Sequence, residues 1–363
     1  MNSTRIVCLL ILSALSFPVA AQENAWSPNP EVDELMRAGI EYHDEGDYDK
    51  AIEYYEKALK LAPDTPGIYY ELAFSYLYKG NPEEALKHSQ KGIDLARNDE
   101  SQLPGLYDLK GSALDDLGRH EEAVEVYLDA LNRFDMNSTR LYYNLGLTYY
   151  RMGERDKARD SLAQSLINDP FHPSSNFLLG KICYEQGRKS QSLYCLCYFL
   201  LLEPYTERAG EAYSTIEQLM SGAEDGITVS DSGNFTAFDI MISLLFDEKE
   251  SSGVDPKSSG ETDGEPSPDE RFMEKLDAFF TAGQAPLVQS LRRTENHHPA
   301  DDLWWEFYVP FFFRITESDH FETFCRYIGM SVSPESTVWL DENEEKVETM
   351  FEWLNTAPEE RDE

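Results

Sequence analysis

The sequence predicts an all-α protein, a helix–turn–helix solenoid over the first two thirds of the chain followed by a small α-helical C-terminal domain. Three observations predict it. A glycine recurs at Gly46, Gly80, Gly118, Gly153 and Gly187, in steps of 34, 38, 35 and 34 residues. A fixed period near 34 residues marks stacked helical hairpins. Each glycine is flanked by two stretches with the apolar spacing of an amphipathic helix. Small and large residues then coincide position by position from one unit to the next.

The unit is clearest from Gly46 to Pro63: a tight turn, an amphipathic helix and a proline stop. Seven residues before each glycine stands a small residue: Gly39, Ala73, Gly111, Gly146 and Gly180. Five after it come Ala51, Ala85, Ala123, Ala158 and Ser192, and twelve after it Ala58, Gly92, Ala130, Ser165 and Phe199. Small side chains at such points let neighbouring helices approach closely. Tyr42, Tyr76, Leu114 and Tyr149 before the turns, and Tyr55, Tyr127, Leu162 and Leu196 after them, fill the gaps. Pro63, Pro170 and Pro204 end their units, since proline cannot continue a helix.

These residues resemble the tetratricopeptide repeat family. The resemblance covers about 32–204 in five units, 32–65, 66–99, 104–137, 139–172 and 173–206. Three departures stand out. Lys110 occupies a position that is usually apolar, and an insertion around Glu100–Leu103 precedes the third unit. Phe199 is too large for its slot, so the fifth unit ends the array, and 207–220 reads as a capping helix over its last apolar face.

The resemblance implies a right-handed superhelix whose first helices line a concave, partner-holding surface. The positions expected to face inward are Met36, Ile40 and His43; Tyr70, Phe74 and Leu77; Asp108, Ser112 and Asp115; Tyr143, Leu147 and Tyr150; and Phe177, Lys181 and Tyr184. The lysine and asparagine pattern with which some members clamp a terminal carboxylate is absent. The partner-binding groove is therefore expected to be apolar and aromatic, formed by Met36, Ile40, Tyr70, Phe74, Tyr143, Leu147, Tyr150, Phe177 and Tyr184. Asp108, Asp115 and Asp116 give it an acidic middle.

Charge narrows the partners. The chain has 68 acidic and 31 basic residues, a formal −37. Such a surface repels nucleic-acid phosphates and anionic lipid headgroups. The expected partner is another protein, presenting an apolar segment with some basic residues.

The first residues read as an export signal. Arg5 precedes an apolar run, Ile6 to Leu15, too short to span a bilayer. Small residues up to Ala21 then suit a signal peptidase, giving a signal peptide at 1–21 and a mature start at Gln22. The expected destination is a bacterial periplasm, without stable membrane insertion. Four cysteines remain, Cys183, Cys195, Cys197 and Cys325. None has metal-finger spacing. They read as small buried apolar residues, with a Cys183–Cys195 or Cys183–Cys197 bridge as the alternative.

Beyond the cap, 234–248 is apolar enough for a buried helix docked on it, and 249–270 reads as a disordered acidic linker. A helical region at 271–356 follows, with helices expected at Arg271–Ala282, Pro286–Arg293, Asp302–Ile315, His320–Ile328 and Glu335–Leu354. The run Leu303 to Phe313 is apolar on nearly every face, so it should be the core, kinked at Pro310.

Three clusters offer residue types used in chemistry. Ser318-Asp319-His320 points three ways on one helical turn, so it reads as a helix start rather than a triad. His297 and His298 with Asp301 and Asp302 read as a solvated connector rather than metal ligands. The acidic run Asp341–Glu345 lacks the alternating ligands and glycine of a calcium loop. No cofactor or catalytic residue is expected. The chain reads as an exported, non-enzymatic interaction scaffold or chaperone-like adaptor. One alternative is an enzyme or enzyme subunit with its active site in the C-terminal helices, where His297, His298 or His320 would meet carboxylates. Another is self-association through those helices.

Overall fold

The computed structural model describes residues 29–96, 101, 103–134, 138–221, 238–239, 246, 266–285 and 303–356. All the elements described are helices. Two compact units partition them, one ending at Asp169 and one beginning at Pro170.

The first unit is four hairpins. They are α1 (Pro30–Asp44) with α2 (Tyr48–Leu61), α3 (Pro66–Tyr78) with α4 (Pro82–Leu95), α5 (Leu103–Asp116) with α6 (His120–Phe134), and α7 (Thr139–Arg151) with α8 (Arg155–Asn168). Each hairpin turns the same way. At the first, Gly46 N–H donates to His43 O (2.9 Å) and Asp47 N–H to Tyr42 O (2.8 Å), the paired bonds of a Schellman cap. The same pair recurs at Gly80, Gly118 and Gly153. These glycines have φ between 74° and 81°, where a side chain is strained. Asn29, Asp47, Asn81 and Ser138 accept backbone N–H groups at the starts of α1, α2, α4 and α7.

The small and large positions meet as the repeat pattern requires. A Cβ built on Gly39 would lie 2.3 Å from the Tyr55 ring, and one on Gly111 2.4 Å from that of Tyr127. Tyr55, Tyr127 and Leu162 are buried, as are Ala51, Ala58, Ala123 and Ala130. Gly92 works between hairpins: Leu106 of α5 sits in the space a Cβ would take, 2.6 Å away. Within this unit α2 packs on α3, α4 on α5 and α6 on α7.

The second unit opens with a fifth hairpin, α9 (Pro173–Glu185) and α10 (Lys189–Leu202), followed by α11 (Glu207–Met220), which packs on α10. Then come α12 (Pro268–Ala282), a π-helical turn at Leu303–Tyr308 leading into α13 (Val309–Thr316), α14 (Phe321–Gly329), α15 (Pro334–Glu342) and α16 (Glu344–Asn355). α10 is buried on every face from Ser190 to Leu201. Tyr194 lies 4.7 Å from Phe279 and 5.6 Å from Phe312 between ring centroids. Tyr198 meets Phe307 and Phe311 edge-on at 5.2 and 5.0 Å. The helix expected only to close a repeat array is thus the centre of the second core.

Other expectations change in detail. The last four residues assigned to the linker, 267–270, begin α12, where Ser267 and Glu270 form a reciprocal capping box. The single helix expected at Glu335–Leu354 is two, because Asn343 leaves helical geometry and donates its amide to Trp339 O (2.8 Å). Pro310 is preceded by the π turn, a widening suited to a residue that cannot donate to the previous turn. Cys183, Cys195, Cys197 and Cys325 are buried, and none of them is in a disulfide. Of 234–248 only three residues are described. Phe238 stacks at 5.6 Å on Phe279, and Asp239 accepts from Ser190 N–H and Oγ, so these contacts reach α12 and α10. The signal segment, the helix expected at Pro286–Arg293, and His297 and His298 lie outside the described residues. Among the described residues no helix is long and apolar enough to cross a membrane.

Candidate protein-binding site

In the first unit, first helices touch the first helices of adjoining hairpins (α1–α3, α3–α5, α5–α7), and more closely than second helices touch each other. They therefore form the inner wall. Of the groove residues expected there, Met36 is wrongly assigned. It is 0% exposed in the core with Val32, Tyr55 and Leu72, so it packs the hairpin and touches no partner. Ile40, Tyr70, Phe74, Tyr143, Leu147 and Tyr150 are all half-buried, with part of each side chain left at the surface. The Arg155 guanidinium lies 4.0 Å over the Tyr150 ring. Phe177 and Tyr184 belong to the second unit. There Phe177 packs 4.9 Å from Phe199 under Arg208, and the exposed Tyr184 donates its hydroxyl to Gln218.

The expected acidic middle is largely neutralised. Asp108 is buried and accepts from Arg140 Nε (2.7 Å) and the Asn144 amide (2.7 Å). Burial still holds the Asp108 carboxyl above its ordinary value, with Arg140 opposing the shift. Asp115, also buried, pairs with Arg151 and with His120 Nδ1 (2.6 Å), and Arg151 reaches Asp116 at 3.4 Å. Reading the first helices missed Arg140 and Arg151. A signal existed: each lies about one repeat period beyond an aspartate of opposite charge. A stacked array brings such positions together.

At the other end, α1 and α3 build an aromatic cluster. His43 stacks on Phe74 at 4.6 Å, with Tyr48 at 5.1 Å and Tyr78 at 5.3 Å. Phe74 meets Tyr78 at 4.8 Å and Tyr70 at 6.1 Å. Tyr78 is 60% exposed. His43 Nδ1 shares a hydrogen bond with Ser75 Oγ (2.8 Å), and burial lowers the His43 pKa against the opposing Asp44 charge. Glu71 is half-buried on the same helix, and burial with the Asp44 charge pushes its carboxyl up to about 7. This value lies above the 4.5 of an unperturbed glutamate. Ionising Glu71 between those two pH values therefore costs stability as pH rises.

Lys110 lines a cleft of about 550 Å³ on α4, α5 and α6 with Leu86, Leu114 and Val126. Two of the cations beside it are paired, Lys87 with Glu84 and Arg119 with Glu122. In the second unit, His320 stands against Trp353 at 5.3 Å, and Ser318 Oγ donates to Ile315 O while accepting from His320 N–H. The N-cap of α14 is His320, with no side-chain cap bond, so Ser318 orders the turn after α13 and does not cap α14 as expected. Among the described residues no three His, Cys, Asp or Glu converge as metal ligands.

Comparison with known proteins identifies the hairpins. Models of the TPR repeat match residues 39–80 and 111–153, and models of the tetratricopeptide repeat match 66–99 and 143–194. A TPR repeat-containing protein of Methanocaldococcus jannaschii is 28% identical over 182 residues, covering 48% of this chain and 32% of that protein. The photosystem I assembly protein Ycf3 of Prochlorococcus marinus is 30% identical over 112 residues, 29% of this chain and 64% of its own. The chain thus spans less than two thirds of either relative. A thermophilic TPR protein of Thermus thermophilus superposes with a TM-score of 0.44 at 27% identity, over 51% of this chain and 99% of that one. Such repeats are protein–protein interaction scaffolds, and the matches place tetratricopeptide repeats at residues 39–99 and 111–194 of this chain.

Proposed function

We propose that this protein is an exported, non-enzymatic adaptor or chaperone-like scaffold that holds a peptide or helix of another protein along the inner wall of its first unit. One observation carries the reading: Ile40, Tyr70, Phe74, Tyr143, Leu147 and Tyr150 keep partly exposed apolar surface there, while the fillers between the helices are buried. Rigid aromatic area loses little entropy on binding and forms hot spots. The charge of −37 favours an apolar segment that also carries basic residues. Export rests on Arg5, the apolar run Ile6 to Leu15 and the small residues ending at Ala21. The intact mass of the protein from its host checks this part, with a mature start at Gln22 expected.

Crosslinking in the native host, followed by recovery of the captured protein, tests the binding reading. The variant with Phe74, Tyr143 and Tyr150 all changed to alanine should recover at least about tenfold less of it. Circular dichroism should show the variant folded. Unchanged recovery by a folded variant overturns the groove. Binding should also weaken between about 50 and 500 mM salt, and an affinity independent of salt would remove the acidic steering.

A further inference from the structure

The wall formed by α1 and α3 differs from the rest. Glu71, Phe74 and Tyr78 follow one another at i, i+3 and i+7, so they share one face of α3. That face meets the end of α1, where His43 stacks on Phe74 and the Asp44 charge acts on Glu71. Among the described residues no hydrogen bond or ion pair reaches the Glu71 carboxylate. Asp108 and Asp115, further along the same wall, each have an arginine. Two carboxylates that no arginine or lysine pairs with among the described residues, beside the exposed Tyr78 ring, complement a positive side chain.

We propose that this end of the wall is an anchoring pocket for one arginine or lysine side chain of the bound segment. The aliphatic stem lies over the Phe74 and Tyr78 rings, and the charge meets Glu71 and Asp44. This rests on the protein-binding reading above and deepens it, by giving the segment a required cation and a direction along the repeats. A cation seated beside Glu71 favours its ionised form, so binding releases a proton when Glu71 starts protonated. Affinity therefore rises as pH passes upward through about 7. The groups around Glu71 are Asp44 and His43 on α1, Tyr55 on α2, Tyr70 and Tyr78 on α3, and Arg140 of α7, whose charge acts on both Tyr70 and Tyr78. His43 loses its charge on the way to pH 7, which by itself moves cation binding the same way. Only the Glu71 variant separates the two.

The test uses the full chain and fluorescein-labelled octapeptide pools, random and apolar-rich, with one central position fixed. That position is arginine, its neutral isostere citrulline, leucine or glutamate. Fluorescence anisotropy at pH 8 should show the arginine pool binding about tenfold tighter than the citrulline pool. Glu71→Gln should erase most of that ratio and its rise between pH 5.5 and 8. Tyr78→Ala, at an exposed site that leaves the fold intact, should lower arginine binding about fivefold and glutamate binding little. Pools that bind equally well, or an arginine preference that persists in both variants, overturn the pocket while the groove reading stands. Failure of every pool to bind overturns both.

Discussion

Replacing Asp269 by alanine should lower the stability of the second unit by about 3 kcal/mol. Asp269 stands in the first turn of α12 and accepts from Arg326 Nη1 of α14, from Ser333, the N-cap of α15, and from Ser336 within it, each at 2.7 Å. Arg326 is 7% exposed, and its other partner is Glu335, whose side chain is 53% exposed. Without Asp269 a guanidinium remains among buried apolar groups with one solvated carboxylate to balance it. Breaking a buried pair costs more than deleting both members, because the survivor keeps its desolvation penalty. The double variant Asp269→Leu with Arg326→Met should therefore be less damaged than Asp269→Ala alone. Trp304, Trp305, Trp339 and Trp353 all lie in this unit, so tryptophan fluorescence in urea measures the loss. A loss under about 1 kcal/mol would show that the contact is no more than a surface pair.

The second large effect falls in the repeats. Tyr127→Ala should cost the first unit about 3–5 kcal/mol, as expected for truncating a buried aromatic ring. Tyr127 is 1% exposed, lies against Gly111 and shares a hydrogen bond with Ser112 (3.1 Å). Gly111 presents bare backbone to the ring, and a helix backbone held by its own hydrogen bonds does not move in to fill the hole on that side. The converse change, Gly111→Val, puts atoms where the ring already is and should also destabilise. Thermal melting followed by circular dichroism should show Tyr127→Ala lowered by roughly 10 °C. A shift of only two or three degrees would mean that the hairpin relaxes around the loss.

These two sites differ in how they could be read. Gly111 and Tyr127 are 16 residues apart, as are Gly39 and Tyr55, and Gly146 and Leu162. One hairpin carries both partners, and repetition shows the pairing because chance would not keep the offset. Arg326 and Asp269 are 57 residues apart and occur once. With no second copy for comparison, Asp269 reads as one more acid of an acidic linker. Asp108 and Asp115 are an intermediate case. Their arginines lie 32 and 36 residues on, at offsets that matter only once the repeats are stacked. An acidic stripe read along single helices thus becomes a set of ion pairs.

The candidate site divides in the same way. The residue types of the inner wall were legible, since Tyr70, Phe74, Tyr143, Leu147 and Tyr150 follow from the repeat register and stay partly exposed. Their burial was not legible. Met36 holds the same register position as Tyr70 and Tyr143, yet it is enclosed by Val32, Tyr55 and Leu72. A flexible methionine fills a gap that a tyrosine ring would leave.

By itself, the sequence determined the hairpins, their turns and the small–large contacts within them. These depend on residues close in the chain and on a period that repeats them. Only the tertiary structure decided which carboxylates are paired, that α10 is the centre of a second core rather than the edge of an array, and that Glu71 stands near Asp44 with no arginine or lysine paired to it among the described residues. Those outcomes depend on which distant helices share a face. Burial then sets the energy of each charge, and a linear pattern of residues does not contain it.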